Sequence, residues 1–151
     1  MAPETEHVIA ELRARIESLE AERGILRRLY SYGPALDYGR EAAFVECFVE
    51  DGIFALTGHP VHTRFQGSEQ LAAFAAQHTR APAHVHKHCV VDPVVEVSGN
   101  EATSVAYFTR LDLEPEGPVV HAFGRYHDHL AKGEDGIWRF VERKVEIEAF
   151  S

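Results

Sequence analysis

The segment His84-Val-His-Lys-His-Cys89 places histidines at 84, 86 and 88. In an extended chain, alternate side chains project from one face. Imidazoles gathered there could ligate zinc, copper, iron or nickel, or one could move protons near neutral pH while the others stand by. His121, His127 and His129, on a later stretch, add further candidate ligands. One face of a strand rarely surrounds an ion, however, and a catalytic zinc usually draws a ligand from elsewhere in the fold. Pro82 disfavours regular pairing just upstream, so His84 should precede the strand. The expectation is that His88 points into a cavity, His86 and His84 sit at its mouth or outside, and the run holds no metal.

The chain of 151 residues suits one domain, taken as 1–151. Its 45% hydrophobic and 26% charged residues describe a soluble globular protein. Asp and Glu number 24 against 15 Lys and Arg, a net charge of −9. That balance argues against nucleic acid and anionic membrane surfaces as partners. The start, MAPETEHVIAEL, is too polar for a signal peptide, and no apolar run is long enough to span a bilayer. Cys47 and Cys89 lack a C-x-x-C pattern and read as free thiols in a reducing cytoplasm.

These candidates need elements to position them. Ile9, Leu12, Ile16 and Leu19 recur at helical spacing in a helical region over 5–38, whose first part, within 1–22, forms an arm with a narrow apolar seam. Gly33-Pro34 should bend this helix, since proline removes an N–H and crowds the preceding turn. EAAFVECFVEDG predicts a short amphipathic helix stopped at Asp51-Gly52, and IFALTG and VHTRF predict strands. GSEQLAAFAAQH predicts another helix, with Ser68 as its N-cap. Beyond His86 the period becomes two, with strands expected over 86–98, 101–113, 118–132 and 136–149. Helices followed by a long antiparallel meander make an α+β domain, its sheet curled around the helices and leaving an apolar cavity. Trp138 reads as core, and Arg143 and Lys144 as solvated or ion-paired.

Three segments together, ILRRLYSYGPALDYGREAAFVECFVEDGIF, HCVVDPVVEV and GRYHDHLAKGEDGIWRFVERKVEI, resemble the SnoaL-like branch of the NTF2-like superfamily. That branch includes polyketide cyclases, scytalone dehydratase and bile-acid 7α-dehydratase. The resemblance implies a cone-shaped α+β barrel, N-terminal helices packed on a curved and mostly antiparallel sheet, and a deep pocket. It further implies a homodimer or higher homo-oligomer without metal or organic cofactor. It carries an acid/base pair onto Asp37, where the first helical region ends, and His88, which opens the third strand. A pocket tyrosine falls at Tyr32; in a straight helix Tyr30 would instead share a face with Asp37. A second tyrosine and a second histidine of the dehydratases fall at Leu56 and near Phe108, and an arginine falls near Ile147. Phe123 and Arg125 are further candidate pocket residues, although alternation sends Arg125 and Tyr126 to opposite faces.

An imidazole held by a carboxylate is suited to proton transfer on a hydrophobic, carbonyl-containing small molecule, polycyclic or aromatic, with a tyrosine hydroxyl polarising the carbonyl. Elimination, isomerisation and aldol-type cyclisation all begin this way, so the expected activity is that of a lyase or isomerase. Two alternatives stand beside it. One is a non-catalytic ligand-binding protein of this fold, and the other an assembly subunit resembling the β subunit of a ring-hydroxylating dioxygenase.

Overall fold

In a computed structural model of the chain, residues 3–58 and 60–151 are described; the first two residues of the expected arm lie outside them. Helix α1 (Pro3–Asp37) changes character along its length. Leu12, Ile16 and Leu19 are more than half exposed, whereas Ile25, Leu29, Tyr32 and Leu36 are buried. The buried set recurs at helical spacing, so one stripe faces the core. Burying side chains of this size contributes about 1.5–3 kcal/mol each. The helix runs through Gly33-Pro34 without interruption. Pro34 forfeits only the bond to the carbonyl of Tyr30, a residue exposed to water.

The end of α1 is sharply defined. Gly39 is left-handed (φ +64°), its N–H bonds the Leu36 carbonyl, and the Arg40 N–H bonds that of Ala35. This pair of bonds is a Schellman stop, which satisfies carbonyls that a helix end leaves open. Asp37 therefore lies in the last helical turn.

The remaining elements are α2 (Glu41–Val45), β1 (Phe48–Gly58), β2 (Val61–Gln66), α3 (Gly67–Gln77), β3 (His86–Ser98), β4 (Glu101–Glu114), β5 (Gly117–Lys132) and β6 (Trp138–Phe150). The helix expected to run to Asp51 stops at Val45. Phe44, Cys47 and Phe48 have helical spacing, but the Cys47 carbonyl accepts the Phe140 N–H and Phe48 pairs with Phe140. Sheet pairing overrides local periodicity there. Ser68 is not the N-cap of α3; that position is Gln66, and the Ser68 hydroxyl donates to the Glu50 carbonyl instead.

The six strands form one sheet in the order β2-β1-β6-β5-β4-β3, with only β1 and β6 parallel. Pro93 is tolerated because β3 is an edge strand with a bulge between Val91 and Val94. The sheet curls around α1 and α3. Phe44, Phe48, Phe54, Leu130, Phe140 and Trp138 pack with the buried stripe of α1 to make the core. Among the described residues no helix is long and apolar enough to cross a membrane.

Candidate active site

The end of α1 lies across the start of β3. Gly33 allows the approach, since a Cβ built there would fall 2.6 Å from the His88 carbonyl oxygen. With the backbones this close, Asp37 receives His88 twice. The His88 backbone N–H donates to Oδ2 at 3.0 Å, and ring Nδ1 lies 2.6 Å from Oδ1. With the carboxylate ionised, the shared proton sits on Nδ1, and in the neutral ring this makes Nε2 the acceptor. Burial pushes the Asp37 carboxyl up, but the hydrogen bond and charge of His88 outweigh it and hold the group below its ordinary value.

His88 lines a cavity of about 270 Å³ with Tyr32, Leu56, Phe108, Ala122 and Tyr126 among its walls. Phe74, His78 and Arg110 belong both to this chamber and to a wider outer groove of about 640 Å³, which also touches Arg64 and Gln77. The chamber is therefore apolar inside and polar at its mouth. Beneath it lies a buried ion pair: Arg143 Nε and Nη2 each donate at 2.8 Å to Asp128, which also accepts from Ser104 at 3.0 Å. The guanidinium carbon is 4.4 Å from the Tyr32 ring centre and 4.1 Å from that of Tyr126. Burial raises both phenols, and the Arg143 charge only partly opposes it. Both tyrosines thus keep their protons at neutral pH.

Several expectations need correction. Tyr30 is not among the residues lining the chamber and is half exposed; it sits two turns before Asp37 on α1. Tyr32, on the buried stripe, faces inward. Phe123 and Arg125 lie on the outer face of β5, because Ala122, Gly124, Tyr126 and Asp128 are the buried alternates. Arg125 pairs there with Glu146 and Glu148. His86 is not at the mouth: its side chain is wholly buried, with Nε2 3.4 Å from Asp37 Oδ1. The segment following α3 folds over it, bringing the His78 ring to 5.2 Å from the His86 ring, centre to centre. Burial lowers both His78 and His86 to about 4, so they are neutral at pH 7.

His84 lines neither cavity and is partly exposed, its Nε2 2.9 Å from Asp112, which Arg110 also grips through two bonds. Ion-paired Arg143 is buried rather than solvated. His78 and Arg110 are lining residues that the sequence reading did not single out, and Tyr126 and His121, named there only as the alternate of Arg125 and as a candidate ligand, line the chamber too. Strand parity alone could have found Tyr126 once the inward set of β5 was fixed. His78 carries no such local signal, because its place depends on how the loop after α3 returns to β3.

A cavity enclosed by α1 and a curled sheet, with a carboxylate–imidazole pair at its edge, defines a class of small-molecule pockets. The SnoaL-like domain family matches residues 17–144, and the chain belongs to that family. No curated protein matches the sequence. Among solved structures, an NTF2-like protein with a cystatin-like fold from Novosphingobium aromaticivorans is 26% identical, with 94% of this chain and 91% of that one covered and a TM-score of 0.84. Two further structures from the same organism share the fold. One, assigned as a scytalone dehydratase, is 18% identical, covering 89% and 88% of the two chains at a TM-score of 0.72. The other, assigned as the β subunit of an aromatic-ring-hydroxylating dioxygenase, is 19% identical, covering 89% and 93% at a TM-score of 0.73.

Proposed function

We propose that the protein is a lyase or isomerase that moves a proton on a hydrophobic, carbonyl-containing small molecule, with Asp37 and His88 as the acid/base pair. The observation that carries this reading is the 2.6 Å contact between Nδ1 of His88 and Asp37 at the wall of an apolar chamber. Nε2 of His88 takes the proton from the carbon next to the carbonyl. Asp37 holds the ring and offsets the imidazolium charge, while the Tyr32 hydroxyl donates to the carbonyl oxygen as the enolate forms. The imidazolium then returns the proton, to a departing hydroxyl in an elimination or to another carbon in an isomerisation. The chamber takes the ring system of an aromatic or polycyclic substrate, and the outer groove takes its more polar end. The likeness to a protein assigned as a scytalone dehydratase agrees with this chemistry.

Proton removal can be tested before the product is known. Hydrophobic cyclic ketones and enones are incubated with the protein in D2O, and exchange of the α-protons is followed by NMR. Exchange is expected to fall about 10²–10⁴-fold in His88→Ala and strongly in Asp37→Asn. Near wild-type exchange in both variants would falsify the assignment. A second reading, an assembly subunit, draws support from the exposed apolar residues of the α1 arm and from the β-subunit likeness.

A further inference from the structure

The histidine run was expected to hold no metal because its donors would come from one strand face. The fold removes that objection by bringing a carboxylate from the end of α1 against two imidazoles of β3. We propose that Asp37, His86 and His88 form a site for a divalent transition-metal ion of the zinc type, a property that goes beyond the acid/base reading and competes with it.

Candidate ligand atoms of the three residues all lie within 4.8 Å of one another. Ligands of a tetrahedral zinc, each about 2.0–2.2 Å from the ion, stand roughly 3.3 Å apart. The 3.4 Å between His86 Nε2 and Asp37 Oδ1 already has that separation. The 2.6 Å between His88 Nδ1 and the same carboxylate needs to open by less than an ångström.

His86 is the second, independent observation. Its side chain is fully buried, yet among the described residues neither ring nitrogen has a hydrogen-bond partner. A buried polar atom left so costs stability, and native structures rarely carry one without a reason. An ion on Nε2 supplies that reason. His78 borders the same space, its ring centre 5.2 Å from that of His86 and 5.5 Å from that of His88. Its Nδ1 lies 2.7 Å from the Thr79 carbonyl, an outer bond that fixes the tautomer and leaves Nε2 able to ligate. A modest side-chain shift, or a water, completes the coordination from the cavity side.

The donor types select the ion. Two imidazoles and one carboxylate suit zinc, cobalt, nickel or copper rather than calcium or magnesium. The nearby cation, Arg110, is bound in two places by Asp112, which offsets its charge. An ion in this position takes Nδ1 of His88 away from Asp37, so the filled site and the proton-transferring pair are alternative states of the same residues.

The test uses the full chain without an affinity tag, stripped with a chelator and titrated with Co²⁺ and Zn²⁺ in the absence of any substrate. One ion per chain is expected, with Co²⁺ giving the visible absorption of a four-coordinate site. Affinity should fall in His86→Ala and in Asp37→Asn by at least the roughly 10–100-fold that losing even an outer-shell partner costs. His127→Ala and His129→Ala, on the outer face of β5, should bind as the parent does. Thermal melting checks each variant's fold, and His86→Gln replaces His86→Ala if the latter does not fold. Absence of stoichiometric binding, or binding that His86 variants leave unchanged, would overturn the site. Because the readout is the ion itself, this result is separate from α-proton exchange measured with chelator present.

Discussion

Asp37 occupies a place that disfavours its own charge, the last turn of a helix, where the carbonyl ends concentrate negative potential. It is ionised because His88 meets it with both a ring nitrogen and a backbone N–H, so the pair is a mutual requirement rather than a chance contact. The same logic governs the ion pair under the chamber. Asp128→Ala leaves the Arg143 guanidinium buried and unpaired, which should cost about 3–5 kcal/mol in urea unfolding. Replacing both residues, as in Asp128→Leu with Arg143→Met, should recover most of that loss. A third carboxylate gives a pH test. Burial pushes Asp112 up, but hydrogen bonds from Arg110 and His84 outweigh it and hold it at about 2. The folded value lies below the unfolded one, so the stabilisation is complete above the unfolded carboxylate range and fades as pH falls towards 2. Urea midpoints of wild type and Asp112→Asn should therefore differ most at pH 5 and converge between pH 4 and 2. A gap that stays constant would show that Asp112 contributes through packing rather than charge.

At the scale of elements, the site depends on how closely two backbones approach. A Cβ at Gly33 would lie 2.6 Å from the His88 carbonyl oxygen, and that oxygen belongs to a strand that cannot easily yield. Gly33→Ala should destabilise by about 1–3 kcal/mol through overpacking. It should also part α1 from β3, so that α-proton exchange per folded molecule, with folding followed by circular dichroism, drops well below wild type. Much of this arrangement was legible in the sequence. The period-two stretches located β3 to β6 within a few residues, and the resemblance placed Asp37 opposite His88. What local pattern could not supply was the decision between competing uses of the same residues. Phe44, Cys47 and Phe48 have helical spacing, yet the carbonyl of Cys47 is needed by β6. His86 and His88 share a strand face by parity, so both turn inward. The expectation that His86 would sit at the mouth failed because the cover over it, the segment carrying His78, comes from elsewhere in the chain. Phe123 and Arg125 were undecidable until the inward set of β5 was known.

At the scale of the whole molecule, large apolar side chains stand exposed on two surfaces among the described residues. Along the arm of α1, Leu12, Ile16 and Leu19 are 51%, 58% and 65% exposed, whereas Ile25 is fully buried. Helices in proteins gain most of their stability from packing of an apolar face rather than from propensity alone. On the outer face of the sheet, Val105, Tyr107 and Phe123 are also exposed, on neighbouring strands β4 and β5. The occupant expected for the arm is a second copy of the chain, since its narrow apolar seam is of the kind that pairs with another helix. A chain starting at Ala21 removes the seam and keeps Ile25, Leu29, Tyr32 and Leu36, so its core should unfold within about 0.5 kcal/mol of the full chain once both are monomeric. Sedimentation should then show the full chain as a dimer and the shortened one moving towards monomer at equal concentration. If the shortened chain stays dimeric, the arm is not the interface, and Phe123→Glu on the outer sheet face becomes the substitution expected to separate the subunits. Either result also bears on the chamber: Phe123 sits on the far side of β5 from Ala122 and Tyr126, so an interface on that face would brace the chamber wall.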